Sequence, residues 1–220
     1  MEFDHCFICV KPGALEAEAF KEFGLTEGLP NQHPGQGTAS RRFFFHNAFI
    51  ELLWLEDAQE AKSETTQPTL LYERLTADHD EVSPFGVCFR PTNANEHTVP
   101  FPSWRYKPVY LPSDLEINIA EGAPLSEPMW FYLSFGSSPG AAPKQNLQPR
   151  LHSAGVAEIT SVRIAHPKSN PLSAPASFAA QSRIITFVAG TTYFLEIGFD
   201  HEVKGYSHSF MPMLPLAFKW

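Results

Sequence analysis

The sequence has few basic side chains and no cluster of them. Lysine and arginine together number 16 against 24 acidic residues, so the formal net charge is −8. The one pair of adjacent basic residues is Arg41-Arg42. Because phosphate binding needs a concentrated cationic surface, this balance disfavours a nucleic-acid partner and an anionic membrane surface.

Long apolar runs are also missing. No uninterrupted apolar stretch approaches the length that spans a bilayer. The opening residues Met-Glu-Phe-Asp-His lack the cationic and apolar segments of a signal peptide. These absences predict a soluble, cytoplasmic protein with no membrane partner.

Cysteine is scarce, with three residues at positions 6, 9 and 88. An odd, small number excludes a disulfide framework. Cys6 and Cys9 have the spacing of a redox or zinc motif, but they lie in an apolar segment that is typical of a strand. Positions 6 and 9 of a strand point to opposite faces, so we expect two reduced, mostly buried thiols there.

Apolar and aromatic residues, by contrast, are abundant. Hydrophobic residues make up 43% of the chain and charged ones 18%, which indicates an ordered globular protein. Turn-forming residues separate short apolar segments, and this pattern predicts an α+β fold. Strands are predicted at 3–10, 40–46, 48–55, 84–90, 105–111, 115–119, 129–135, 157–165, 183–188 and 191–199. Helices are predicted at 14–23 and 68–75, and a loop at 31–38.

These elements group into repeated units within one compact domain. We assign a first module to 1–56, a linker with a short helix to 57–83, a second module to 84–136, a loop to 137–156, and a third, partial module with an apolar tail to 157–220. An internal repeat relates Arg42-Phe-Phe-Phe and Phe49-Ile-Glu-Leu to Arg183-Ile-Ile-Thr-Phe and Phe194-Leu-Glu-Ile. Each half is read as a hairpin of two apolar strands, with one carboxylate in the second strand.

The first module has a recognisable order. A strand that contains His5 is followed by a helix, a loop at His33–Ser40 and a strand that reads Phe49-Ile-Glu-Leu. This order resembles the first module of the vicinal-oxygen-chelate superfamily, and the loop and strands resemble a glyoxalase-like branch of it. The resemblance implies repeated βαβββ-type modules that form a curved mixed sheet, with a small-molecule site in its concave face.

The resemblance also implies metal ligands on the first and last strand of each module. His5 and Glu51 match two of these positions. In the second module the positions fall at Phe85 and near Tyr132, which are not usual ligands of a divalent ion. In the third module they fall at Ser161 and Glu196, so the superfamily's full ligand set is not in its ordinary places.

Glu51 needs a partner whatever the resemblance implies. It lies between Ile50 and Leu52, and an unpaired carboxylate in such an apolar strand is costly. Strand alternation places His5 with Phe3, Phe7 and Cys9, and places Glu51 with Phe49, Leu53 and Leu55. The two side chains could share a divalent ion, or a neutral histidine could bond to a buried glutamate without metal.

Other residues are candidates for the same site. Glu196 could be a third metal ligand, or it could pair with Arg163 or Arg183. The 33–38 loop could place His33 and Thr38 against a substrate, although its glycines are also typical of turns. Arg41 and Arg42 alternate on a strand, so one of them can face the site, and Arg42 is our candidate. Phe85 and Tyr132 would then supply aromatic walls.

Three functions are compatible with the sequence, and the third of them is a scaffold or interaction protein that uses its apolar tail. The first is a metal-dependent isomerase, lyase or dioxygenase that acts on a small oxygen-bearing molecule. In it, Glu51 is the catalytic base and His5, Glu51 and Glu196 hold zinc, iron, manganese or nickel. The second is a metal-free binding or sequestering protein with Glu51 as a polar anchor. The resemblance also implies a homodimer as one arrangement.

Overall fold

The structure, a computed structural model, describes residues 1–78, 80–93, 98–141, 147–167 and 171–220. Residues 142–146 of the predicted 137–156 loop lie outside this part. The described strands are β1 Glu2–Cys9, β2 Asn31–His33, β3 Thr38–Phe44, β4 Phe49–Leu55, β5 Phe85–Arg90, β6 Ser103–Tyr106, β7 Ile117–Ala120, β8 Met129–Tyr132, β9 Ile159–His166, β10 Ile185–Ala189, β11 Phe194–Phe199, β12 Ser207–Ser209 and β13 Leu216–Lys219. The α helices are α1 Ala17–Phe23, α2 Ala58–Ala61, α3 Leu71–Thr76 and α4 Ala174–Gln181.

The first eight strands form one curled, mixed sheet in the order β2-β3-β4-β1-β5-β8-β7-β6. Strand β1 pairs in parallel with β4, and β5 pairs in parallel with β8. The two halves meet where β1 runs antiparallel to β5. The result is an α+β fold with a half-barrel sheet, so the predicted fold class and its curved mixed sheet are confirmed.

Side-chain alternation gives this sheet two different faces. In β1, Cys6 and Ile8 belong to a large core on the convex face, and Phe7 and Cys9 belong to a smaller cluster on the concave face. All three cysteines are free and buried. The convex core is continuous with the second sheet, so the two sheets form packed layers. The concave face is thereby left to build a site.

The second sheet corrects the predicted internal repeat. Its order is β10-β9-β11-β13-β12, so β9 lies between the two strands that the sequence paired as a hairpin. Strand β10 is parallel to β9, and α4 forms the crossover between them. A parallel neighbour needs such a crossover, whereas a hairpin does not. The second half that matches the 1–56 module is therefore β5–β8 in the same sheet.

Several described elements were not predicted, among them β2, α4, β12 and β13. Strand β2 occupies the first residues of the predicted 31–38 loop and pairs with β3. Helix α4 begins after Ser173, whose side chain accepts a hydrogen bond from Ala176 N–H. The predicted apolar tail contains β12 and β13 and buries Phe210, Leu216 and Phe218 in the convex core. The tail therefore packs on the body of the protein.

Among the described residues, no helix has both the length and the apolar character needed to cross a membrane.

His152 links the segment before β9 to the first sheet. Its Nδ1 accepts a hydrogen bond from Thr26 N–H at 3.0 Å, so its Nε2–H donates to the Phe44 carbonyl at 2.9 Å. Burial lowers the pKa of this imidazole. Protonation at Nδ1 would remove the acceptor for Thr26.

We expect the free energy of unfolding to fall as the pH drops below about 6.5, because the unfolded state then binds the proton that the folded state resists. The slope should reach at most about 1.4 kcal/mol per pH unit for this group. Urea unfolding between pH 8 and pH 5 measures it, and His152→Gln should flatten the profile. An unchanged slope in that variant would show that His152 is not responsible.

Candidate functional site

A cavity of about 290 Å³ opens on the concave face of the half-barrel. Its walls are mostly apolar and come from β1, β4, β7, β8 and α3. These walls include Phe7, Leu53, Leu71, Ile117, Ile119, Met129 and Phe131. Its polar groups lie on β1, β4 and the β2–β3 hairpin, together with the phenols of Tyr106 on β6 and of Tyr110. Such a cavity suits a small ligand with an apolar body and a polar end.

His5 is aimed into the cavity by an irregularity in β1. The pairing of β1 with β5 shifts register between Phe3 and His5, which is a β-bulge. Because of it, Phe3 joins the convex core while His5 lines the cavity. The prediction that Phe3 and His5 share a face is therefore wrong.

The ring of His5 is fixed by its neighbours. It is buried, and it stacks on Phe49 with 4.1 Å between ring centroids and a 16° angle between ring planes. Phe131 contacts it edge-on at 5.3 Å. Its Nδ1 lies 2.6 Å from Asp4 Oδ1. The other nitrogen, Nε2, is the atom that is left to face Glu51.

Glu51 is buried on the neighbouring strand β4 and lines the same cavity. Ser40 Oγ donates a hydrogen bond to its Oε1 at 2.5 Å. Its Oε2 lies 3.9 Å from His5 Nε2, which is beyond hydrogen-bond range. Two buried polar atoms thus flank a gap that a substrate oxygen or a water could enter.

On the side of His5 away from Glu51 lies a buried charge pair, Asp4 and Arg90. Asp4 Oδ2 accepts a hydrogen bond from Arg90 Nη1 at 3.2 Å, and both residues are buried. Arg90 also donates to the carbonyls of Phe3 and Asn47 and to the Glu2 carboxylate. These bonds satisfy a guanidinium and a carboxylate that would otherwise be costly to bury.

The β2–β3 hairpin forms the polar rim of the cavity. Asn31 Nδ2 lies 2.7 Å from His33 Nε2, so that nitrogen accepts and His33 Nδ1–H faces Thr38 Oγ1 at 3.0 Å. Burial lowers the pKa of His33. Both ring nitrogens are therefore engaged within the hairpin. Thr38 is buried in this network, where Gln36 also donates to it, and it does not line the cavity.

Arg42 lines the cavity, whereas Arg41 points to the convex side and bonds to Glu27. The Arg42 guanidinium donates to the Leu29 carbonyl from Nε and Nη2, at 3.3 and 3.2 Å. Burial lowers its pKa. One of the two adjacent arginines thus faces the site, as alternation requires.

The predicted aromatic walls are on the wrong face. Phe85 and Tyr132 belong to the convex core. Within the same strands, Cys88 and Phe131 face the concave side. A one-residue shift along a strand moves a side chain to the opposite face of the sheet. The positions that the resemblance implied, Phe85 and Tyr132, differ from the cavity-facing positions in this way.

Glu196 does not lie near the cavity either. It is on β11 in the second sheet, where Arg163 Nη1 and Lys219 Nζ lie 3.0 and 2.7 Å from its carboxylate. The alternative prediction, that Glu196 pairs with an arginine, agrees with its contact with Arg163. Glu196 is therefore not part of the candidate site.

The remaining donors do not fit a divalent ion. Catalytic zinc has three protein ligands, but the described cavity offers His5 Nε2 and Glu51. His33 is the other lining residue of a usual ligand type, and its nitrogens are both engaged. Asp4, His5 and Cys88 also place their donor atoms within 4.8 Å of one another.

That second group has unsuitable chemistry for a cation. Its carboxylate already bonds to Arg90, whose positive charge would repel an ion. Burial raises the pKa of Cys88, and the charge of Asp4 raises it further, so the thiol stays protonated. Neither group of donors among the described residues therefore fits a divalent ion.

The sequence prediction missed Asp4, Ser40 and Arg90. Asp4 and Arg90 each stand in an apolar strand, and a charge in such a place signals a buried pair. Their pairing across β1 and β5 was not visible without the register of the sheet. Ser40 gave no comparable signal, since serine is common at any strand end.

Comparison with known proteins identifies the fold independently. A crystal structure described as a hypothetical protein from Staphylococcus aureus is similar, with a TM-score of 0.55 and 11% identity. The likeness covers 99% of this chain and 98% of the other, and at that identity it shows the fold alone. A search of the curated proteins gave no match. A family model described as a glyoxalase-like domain matches residues 3–177. The match spans well over half of the sequence, so the chain belongs to the glyoxalase-like domain family of the vicinal-oxygen-chelate superfamily.

Proposed function

We propose that this protein binds a small carbonyl compound in the cavity and catalyses proton transfer on it without a metal. The observation that carries the proposal is the 3.9 Å gap between His5 Nε2 and Glu51 Oε2. An acid and a base on either side of a bound molecule are what a proton-transfer reaction requires. Each is held from behind, His5 by Asp4 and Glu51 by Ser40.

The chemistry follows from the two groups. The Glu51 carboxylate takes a proton from the carbon next to the carbonyl, and protonated His5 gives its Nε2 proton to the carbonyl oxygen. The product is an enol. After Glu51 has exchanged its new proton with solvent, the reverse transfers return the ketone with a solvent-derived hydrogen and restore both residues. The apolar walls lower the polarity around the pair, which strengthens its electrostatic interactions with the substrate.

The ligand's body is expected to be apolar and neutral. Phe7, Phe131 and the aliphatic side chains offer it no hydrogen-bonding partners. The volume of about 290 Å³ is at the lower end of ordinary ligand pockets, on the order of 300–1,000 Å³. Small ketones that carry an aromatic ring, such as phenylacetone and 2-tetralone (called aryl ketones below), are therefore suitable probes.

The test is deuterium exchange in D2O, followed by loss of the ¹H signal next to the carbonyl. We expect the protein to accelerate exchange of at least one aryl ketone, and the same ketone to raise the melting temperature. Benzaldehyde has no hydrogen on a carbon next to the carbonyl. It is the control for loss of ¹H signal that is caused by binding or precipitation and not by exchange. Absence of exchange across the ketones, with or without binding, would overturn the proposed catalysis.

A second candidate, metal-free binding or sequestration, is favoured by the predominance of apolar wall residues. It predicts stabilisation by the ketones or by other apolar molecules without any exchange. The same experiment therefore separates the two functions.

A further inference from the structure

We propose that Asp4 and Arg90 are positioning residues that hold His5 in one tautomer, with its permanent proton on Nδ1. Nε2 is then the one nitrogen of His5 that loses and regains a proton toward the cavity. This inference rests on the proposed acid–base role of His5, and it assigns a function to two residues outside the cavity lining.

The first step of the argument is the hydrogen bond between His5 and Asp4. Nδ1 and Oδ1 are 2.6 Å apart, and both side chains are buried. A carboxylate is an acceptor only, so Nδ1 must carry the proton. This bond sets which nitrogen is free.

The second step is the orientation of the carboxylate itself. Arg90 donates to Oδ2 of Asp4 and is anchored on two backbone carbonyls, those of Phe3 and Asn47. The guanidinium therefore compensates the charge of Asp4 and fixes which oxygen faces His5.

The third step is the β-bulge at Phe3–His5. In a regular strand, adjacent residues point to opposite faces, and Asp4 could not lie beside the ring of His5 toward the cavity. The bulge brings the two neighbouring side chains together. Bulges that re-aim side chains in this way are over-represented next to active sites.

The test uses full-length protein labelled with ¹⁵N-histidine, and it needs no substrate. Long-range ¹H–¹⁵N spectra distinguish a protonated from an unprotonated ring nitrogen, and His5→Gln assigns the signals. We expect neutral His5 in the wild type to be protonated on Nδ1. A neutral His5 protonated mainly on Nε2 would overturn the proposal without recourse to any variant.

Asp4→Asn provides the matched perturbation. Arg90 should retain the amide oxygen, so the amide NH2 faces Nδ1 and the tautomer should switch to Nε2–H. In the exchange assay kcat should fall about 10²-fold or more with KM little changed. The control Glu2→Gln removes an exposed carboxylate that contacts Arg90 but not His5, and both readouts should stay as in the wild type.

The two proposals fail in different ways. If wild-type His5 is the Nδ1–H tautomer but no ketone exchanges, the positioning role of Asp4 and Arg90 is supported and the proposed function is overturned. An Nδ1–H tautomer that persists in a folded Asp4→Asn variant would overturn the positioning role.

Discussion

Glu51→Gln is expected to slow ketone exchange by about 10²–10⁴-fold, the usual contribution of a general acid or base. Glutamine has nearly the same shape and can still accept the hydrogen bond from Ser40, so the cavity should keep its geometry. What is lost is the proton acceptor that faces His5. The decrease should therefore appear in kcat, while binding of the ketone, measured by thermal shift, changes little.

Glu196→Gln is the matched control for this variant. It makes the same chemical change on a strand of the other sheet, at a carboxylate that pairs with Arg163 and Lys219. Exchange should proceed at the wild-type rate. Equal slowing in the two variants, or undiminished exchange in Glu51→Gln, would contradict the role of Glu51.

Arg74→Met is expected to lower the free energy of unfolding by about 3–5 kcal/mol. Arg74 is buried on α3, the helix that also carries the cavity residue Leu71. Its Nη1 donates to the carbonyls of Ser83, Leu125 and Glu127. Burial lowers the pKa of its guanidinium to about 10, which still leaves it charged at neutral pH. Methionine fills similar space but leaves those carbonyls without this donor.

The melting temperature should fall by roughly 10 °C, and calorimetry or urea unfolding measures the loss. Arg163→Met is the comparison, because Arg163 is about one-third exposed and pairs with Glu196 and Glu202 near solvent. It should cost less than about 1 kcal/mol. A similar decrease in the free energy of unfolding in the two variants would mean that the hydrogen bonds from Arg74 to buried carbonyls stabilise the fold no more than a surface ion pair does.

The first half of the site could be predicted because it depends on local periodicity. His5 and Glu51 each lie in a short apolar strand, and the carboxylate needs a partner. Alternation grouped Glu51 with Phe49, Leu53 and Leu55, and of these Phe49 and Leu53 line the cavity whereas Leu55 does not. These conclusions use the side-chain direction within one strand, and the sequence carries that information.

Other parts of the site depend on long-range register and were not predictable in the same way. Phe85 and Tyr132 were assigned to the cavity by resemblance, and a shift of one residue placed them in the convex core. Glu196 looked equivalent to Glu51 along the chain but belongs to another sheet. No local pattern states which sheet a strand joins.

The fold shows the same division. Short apolar strands followed from composition and spacing, and the curved mixed sheet followed from the resemblance. Strands β10 and β11 looked like a hairpin because a few turn residues separate them. Helix α4, which places β10 on the far side of β9, is signalled in the sequence by the N-cap residue Ser173 and by Pro175 in the first turn.

The most direct measurement is deuterium exchange of an aryl ketone by wild-type protein that has been stripped of metal and kept in chelator. We expect exchange above the buffer rate in this state, and no further acceleration when zinc, manganese, nickel or iron(II) replaces the chelator. Exchange that disappears on stripping and returns with a divalent ion would contradict a metal-free reaction at His5 and Glu51.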